Sequence, residues 1–409
     1  MSEGIAGLRR VVVVGAGIAG LRAAETLRRE RFDGEIVLLG EEAYPAYDRP
    51  ALSKDVVSSD ADPRGTLLRP MEKYGDLQID LCLGHAATGL DLDARRVLVG
   101  ADSIPYDGLI IATGVAARRL GGWGHAPHDP LALRGIDDAI AIRERLAGAR
   151  HLTVIGAGFI GSELAAGARS RGIEVTVLEL ERTPLARSLG PEMADAIMDL
   201  HRGNGTDLRL GVTVAGVAAP GTLRLTDDSR LQTDLVIAGV GVTPNTAWLE
   251  GSGLTLDNGV VVDESLAAGP PGVYAVGDIA NWPNPLFGRR MRVEHWTNAS
   301  QQATAAARNL MRGTTTPFSG ANYVWSDQYG VRIQLAGVTT GADVEVVAGS
   351  IRDHDGLAWY RTGDRLVGAL AIGRPAQGLL SSSLISSGAS WSEALEKLDA
   401  ISRTSPLPT

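Results

Sequence analysis

Cysteine is almost absent: Cys82 is the single one in 409 residues. One thiol cannot close an internal disulfide, nor can it hold a four-thiolate iron–sulfur cluster within this chain. It sits in the alternating stretch Ile79-Asp80-Leu81-Cys82-Leu83, the setting of a buried core thiol more than of a reactive one. No apolar run reaches the ~18 to 20 residues that cross a bilayer. Positive charge is also in deficit, with 39 Lys and Arg against 48 Asp and Glu for a net −9. Neither nucleic acid nor an anionic membrane surface is therefore the expected partner. Arg9 and Arg10 before Val11 to Val14 have the start of a secretory signal, but Gly15, Gly17 and Gly20 interrupt it and an amphipathic segment replaces the cleavage site. A cytoplasmic protein is the expectation.

What the chain does contain is ordinary globular material, 44% hydrophobic and 21% charged, which argues against disorder and fibrous repeats. Its length suits two or three domains of ~100–200 residues. The strongest internal feature is a duplication: VVVVGAGIAGLRAAETL from Val11 is echoed by LTVIGAGFIGSELAAGA from Leu152. Each copy runs from an apolar β-branched stretch through a glycine-rich turn and a helix-period segment to a second apolar stretch, Glu35 to Leu39 or Glu174 to Leu178. That order is the βαβ unit of a parallel sheet. The spacing predicts helices over about Ile18–Arg29 and Ile160–Arg171, the second stopped by Gly172.

Further strand-like runs end in glycine turns at Gly108–Gly114, Asp234–Gly239 and Gly272–Asp278, as if the second unit were inserted into the first domain. Gly121 to Pro130 and Pro270 to Gly272 have loop chemistry. From about Tyr323 the pattern changes to alternating runs at Val331–Leu335, Val344–Val347 and Leu366–Ile372, then a helix near Trp391–Ala400, as in a smaller α+β domain.

In Gly15-Ala16-Gly17-Ile18-Ala19-Gly20 the first glycine makes a tight turn, the second lets backbone approach a pyrophosphate, and the third lets helix and strand pack closely. The helix N-terminus offers free N–H groups to the phosphates. Glu41, 41 − 20 = 21 positions on, stands where a carboxylate accepts from a ribose. Gly156-Ala157-Gly158-Phe159-Ile160-Gly161 repeats the pattern, with Glu179 at 179 − 161 = 18 positions. Two dinucleotide sites suit a resident flavin and a travelling nicotinamide cofactor, with hydride transfer between them.

Beyond these fingerprints the chain carries Tyr47-Asp48-Arg49-Pro50-Ala51-Leu52-Ser53-Lys54, Ala112-Thr113-Gly114, Leu133-Arg134-Gly135-Ile136-Asp137-Asp138-Ala139, Val273-Tyr274-Ala275-Val276-Gly277-Asp278 and Trp325-Ser326-Asp327-Gln328. In this order, over nearly its whole length, it resembles the flavoprotein ferredoxin reductases, the group of putidaredoxin reductase and the biphenyl-type dioxygenase reductases. The resemblance implies an α/β fold of two Rossmann-like dinucleotide-binding domains, glutathione-reductase-like, plus a C-terminal α+β domain. It divides the chain into a FAD domain from 1–115 and 247–322, a NAD domain over 116–246 and the C-terminal domain over 323–409. It implies FAD contacts at Ala16, Glu41, Arg49, Lys54, Ala87, Thr113, Arg134, Asp278 and Trp296, with Trp325 close by; Ala87 departs from the valine usual there. For NADH it implies Ile160, Glu163, Glu179, Arg187 and the Gly239-Val240-Gly241 turn. Lys54 and Glu163 would be catalytic, the lysine as a cation at the reactive edge of the flavin and the glutamate as a hold on the nicotinamide carboxamide, or else a helix-dipole partner.

The single cysteine excludes the disulfide reductases of this architecture, which need a redox dithiol beside the flavin. Electrons are then expected to leave by outer-sphere transfer to a 2Fe-2S ferredoxin, itself acidic, which feeds a haem monooxygenase or a Rieske oxygenase. Arg289, Arg290 and Arg292 form the densest basic cluster and are the expected steering patch, unless they are a solvated loop. Alternatives are a rubredoxin or monodehydroascorbate reductase, or an NADH-sensing flavoprotein like apoptosis-inducing factor.

Glu179 at its strand end accepts from ribose hydroxyls and repels an added phosphate, although Arg182 and Arg187 work against that repulsion. NADH should therefore be preferred over NADPH by about a hundredfold or more in kcat/KM. Glu179→Gln should narrow that gap, and equal use of both coenzymes by the parent protein would refute the assignment.

Overall fold

The computed structural model describes residues 7–59, 61–121 and 129–404, the side chains of Arg187 and of 401–404 excepted. The loop expected at Gly121 to Pro130 thus lies largely outside the described residues. The chain divides into two compact units, one of Met1–Asp48, Thr66–Ala116 and Thr243–Asn322, the other of Arg49–Gly65, Ala117–Val242 and Tyr323–Thr409.

In the first unit a parallel sheet has the strand order Val273–Ala275, Gly108–Ile111, Arg10–Val14, Glu35–Gly40, Ile79–Leu83. Val11, Val12 and Val13 are fully buried, as β-branched residues of a strand covered on both faces should be. The helix Ile18–Arg29 buries Leu21, Ala23, Ala24 and Leu27 and packs beside the helix Trp296–Arg312. The strand after Arg10–Val14 lies on one side of it and Gly108–Ile111 on the other, so strand order reverses there. Ligands of open parallel sheets bind in the crevice at such a switch point, beyond the carboxyl ends of the strands.

The second unit repeats the arrangement with the order Asp207–Leu210, Glu174–Glu179, His151–Ile155, Leu235–Ala238, again parallel. The helix after its glycine turn is Phe159–Ser170, one residue earlier at each end than the spacing predicts. The same unit contains a five-stranded antiparallel sheet ordered Val324–Gln328, Val331–Gly337, Arg365–Ile372, Asp355–Thr362, Asp343–Ser350, followed by helices Pro375–Ser386 and Trp391–Thr404.

Three of these elements, Val324–Gln328, Asp355–Thr362 and Pro375–Ser386, have no counterpart among the runs read from the sequence. Asp355–Thr362 has polar ends that hide its buried centre, Leu357 to Tyr360, and Pro375–Ser386 is serine-rich with little amphipathic contrast. The last two stabilise each other across the fold: Trp359 Nε1 donates to Ser381 Oγ at 2.8 Å, and Ser381 in turn donates to Gln377 O. Tyr360 donates its hydroxyl to Leu189 O, and burial pushes that phenol's pKa well above its ordinary value.

Candidate functional site

Both glycine turns are tight for a reason visible in their surroundings. Gly15 has φ +113°, and a Cβ there would lie 2.2 Å from Ala112 O; Gly156 has φ +101° and would meet Gly239 O at 2.4 Å. Each turn is thus wedged against the end of the neighbouring strand at the switch point. A Cβ on Gly20 would fall 1.9 Å from Gly15 O, and one on Gly161 2.1 Å from Gly156 O, so helix and turn can close only on glycine. The middle glycines differ. Nothing lies within 4 Å of a Cβ built on Gly17 or Gly158. Each caps its helix without a side-chain hydrogen bond, and neither helix has an acidic residue in its first turn. Open space, free N–H groups and no competing carboxylate are what a dinucleotide pyrophosphate requires, so both turns fit FAD and NADH.

Around the first turn, Gly40 lies against Ala16, which brings exposed Glu41 to its edge. Ala87 is partly buried against the same core. Thr113 accepts from Asn245 Nδ2 at its carbonyl and donates its hydroxyl to Asn245 O. Gly277, at φ +77°, packs against Ala19 and Ala299, placing half-buried Asp278 beside the first helix, with Trp296 opening the helix that contains Ala299. His295, just ahead of Trp296, is held neutral at pH 7: burial pushes its pKa down to about 4 against the pull of Asp278.

In the second unit Glu179 accepts from Ala157 N–H at 2.8 Å and from Glu181 N–H at 2.9 Å, so the acid braces the glycine turn itself. Carboxylate oxygens have further lone pairs, and ribose hydroxyls remain possible donors. Ile160 is exposed at the helix start, and Gly241, at φ +92°, has open space around it. The Arg182 stem packs over Gly211, next to the strand end that Glu179 occupies. The side chain of Arg187 lies outside the described residues.

Glu163 is where the structure adds most. It is 5% exposed and lies beyond the first turn of its helix, where a dipole role is weak. Lys54 Nζ is 2.9 Å from its Oε1, Ser326 donates to the same oxygen at 2.6 Å, and Ser53 donates to Oε2. Lys54 comes from a wide π-type turn, Leu52–Val56, and also donates to Pro50 O. Arg49 donates to Arg134 O at 2.8 Å, so the three basic residues expected near a flavin belong to this unit. Trp325 stacks on Tyr323, ring centroids 6.1 Å apart. Ser53 and Ser326 stand inside the motifs Tyr47–Lys54 and Trp325–Gln328, but nothing in their spacing announces a shared carboxylate.

The basic cluster lies on the strand Arg289–Arg292, with Arg289 and Arg290 exposed. Arg290 donates to Val262 O and Asn281 O, and Arg292 donates to Asp278 O and Asn258 Oδ1 while pairing with Glu294 at 2.8 Å. Two of the three guanidiniums also hold backbone in place, one of them under Asp278.

Residues 9–303 match the family model of the pyridine nucleotide-disulphide oxidoreductases, and residues 323–399 that of the reductase C-terminal domain. The chain belongs to the pyridine nucleotide-disulphide oxidoreductase family. Rhodocoxin reductase of Rhodococcus erythropolis is 38% identical over 370 residues, 89% of this chain and 86% of that protein. The ferredoxin reductase for the CYP199A2 system of Rhodopseudomonas palustris superposes with a TM-score of 0.89 at 34% identity, covering 95% of this chain and 99% of that one. Putidaredoxin reductase in its covalent complex with putidaredoxin gives 0.89 at 31%, covering 97% and 99%. The resemblance read from the motifs is borne out, as are the α/β fold and FAD and NADH as the cofactors. Within this disulphide oxidoreductase family the chain itself has no dithiol. Cys82 lies on the edge strand Ile79–Leu83, where burial and then Asp80 push its thiol pKa up, away from the reactive thiolate. No helix among the described residues is long and apolar enough to cross a membrane.

The glycines separate folding from binding. Gly20→Ala should destabilise the protein by about 3 kcal/mol or more, because its Cβ meets backbone. Gly17→Ala should leave the thermal midpoint nearly unchanged yet weaken FAD retention at least ~tenfold, because it fills the space facing a phosphate. Thermal unfolding and a flavin fluorescence titration check both; an unaltered FAD affinity in Gly17→Ala would refute the first cradle.

Proposed function

We propose that this protein is an NADH-dependent ferredoxin reductase in which Lys54 is the cation at the reacting centre and Glu163 its anchor. The enzyme is a FAD-dependent ferredoxin–NAD+ reductase. The observation that supports these roles is the ion pair of Lys54 with the buried Glu163 in a chain with two nucleotide cradles and no dithiol. FAD, when bound, supplies the exchange of one hydride from NADH for single electrons to a 2Fe-2S ferredoxin. A cytoplasmic location, where NADH is made, goes with this reading, as does service to a haem or Rieske oxygenase.

The chain's own residues contribute position and charge. We assign Ala16, Gly17, Glu41, Arg49, Ala87, Thr113, Arg134, Asp278 and Trp296 to FAD, and Gly158, Ile160, Glu179, Arg187, Gly239 and Gly241 to NADH. Lys54 stabilises negative charge arriving with the hydride; its ammonium needs no reorganisation because Glu163 holds it at 2.9 Å. The sharing of Glu163 with two hydroxyls favours an anchor over a grip on the carboxamide. The division at residues 115, 246 and 322 into FAD, NAD and C-terminal parts belongs to the same reading.

Lys54→Met should slow anaerobic flavin reduction by NADH on the order of a hundredfold. It should also cost about 3–5 kcal/mol of stability, because Glu163 stays buried without its counter-charge. Stopped-flow absorbance with NADH, followed by mixing with a 2Fe-2S ferredoxin, reads both half-reactions. A parent protein that NADH reduces quickly but that passes no electrons to any 2Fe-2S ferredoxin would refute the assignment of acceptor, and an unslowed Lys54→Met that of the cation.

A further inference from the structure

Glu163 is the end of a longer buried array. Ser326 Oγ, which donates to Glu163, lies 3.0 Å from Gln328 Nε2; Gln328 Oε1 is 3.0 Å from His201 Nε2; His201 Nδ1 is 3.0 Å from the Tyr329 hydroxyl; and that hydroxyl is 2.7 Å from Thr206 Oγ1. Glu163, Ser326, Gln328, His201 and Thr206 are all 5% exposed or less. Glu163 rides on the helix Phe159–Ser170, His201 on the helix Pro191–Gly203, and Ser326 and Gln328 two apart on one face of the strand Val324–Gln328.

The carboxylate dictates the direction of the whole array. Ser326 has one proton and gives it to Glu163, so its oxygen must accept, and the Gln328 amide turns its NH2 toward it. The Gln328 carbonyl then faces His201, whose Nε2 must carry the ring proton. Nδ1 is left with a lone pair, which accepts from Tyr329, and Tyr329 accepts from Thr206. Flipping the amide would set two acceptors against a carboxylate-bound hydroxyl. Burial also disfavours a charged His201, pushing its pKa down to about 4.

We propose that Ser326, Gln328 and His201 are positioning residues of the reductase, a one-way hydrogen-bond chain that keeps the Glu163 carboxylate aimed at Lys54. The chain makes the ammonium's place depend on the C-terminal sheet, and it rests on the reading of Lys54 as the cation at the reacting centre. Aligned bonds of this kind polarise one another, so loss of a distant member weakens the grip of Ser326 on the carboxylate.

Nitrogen NMR of 15N-histidine-labelled protein, with His201→Leu to assign the signal, should show His201 as the neutral Nε2–H tautomer between about pH 6 and 8. Gln328→Leu should release that tautomer preference. In FAD-loaded protein, Ser326→Ala should lower the limiting rate of flavin reduction by NADH about tenfold while NADH affinity stays within about twofold, and Ser326→Thr should recover most of the rate. Glu163→Gln serves as reference. If it slows reduction while Ser326→Ala and Gln328→Leu do not, the chain is only packing and the proposal fails. If Glu163→Gln has no effect either, the reading of the ion pair fails instead. A His201 proton found on Nδ1 would overturn the chain's direction, and with it the proposal, even if a variant did not fold.

Discussion

A carboxylate held at 5% exposure is the constraint around which the second unit is organised. An isolated buried charge costs far more than a domain's net stability can absorb, so every lone pair of Glu163 needs a donor. Those donors come from the turn after Pro50, from the strand Val324–Gln328 and, two steps removed, from the helix Pro191–Gly203. Segments more than a hundred residues apart thus converge on one pair of oxygens. Tyr360, donating to Leu189 O, and His354, donating to Ala196 O, add hydrogen bonds between the C-terminal sheet and the same part of the unit.

The two glycine turns obey a different constraint, steric and local. Backbone must touch backbone on one side, where Ala112 O or Gly239 O leaves no room for a Cβ, and must stay open on the other, where nothing lies within 4 Å. The outer glycines meet the first demand and the middle one the second, which is why one short pattern serves two cofactors. Chemistry then depends on what each cradle sits beside. Asp278, its backbone held by Arg292, accompanies the first; Glu179, bracing Ala157, accompanies the second.

Local patterns were therefore readable from the residues. The helix Ile18–Arg29 and both glycine turns follow from periodicity and from the needs of a strand-to-helix bend, as do the strands on either side of each. The strand Asp355–Thr362 and the helix Pro375–Ser386 were not readable, because they have little amphipathic contrast of their own and contacts such as Trp359–Ser381 form only in the fold. The second task of the arginine cluster was equally hidden: that Arg290 and Arg292 satisfy backbone carbonyls is visible only in the fold.

The sequence by itself determined the two dinucleotide folds, the absence of a dithiol and the family resemblance, since each depends on residue type at short spacing. Only the tertiary structure decided that Lys54, Ser53 and Ser326 share Glu163, that Arg290 and Arg292 serve the backbone, and that His201 stands in line with the carboxylate. Those are pairings between distant segments, and burial alone creates the need for them: a charge or polar group withdrawn from water must find its partner wherever the fold brings one within 3 Å.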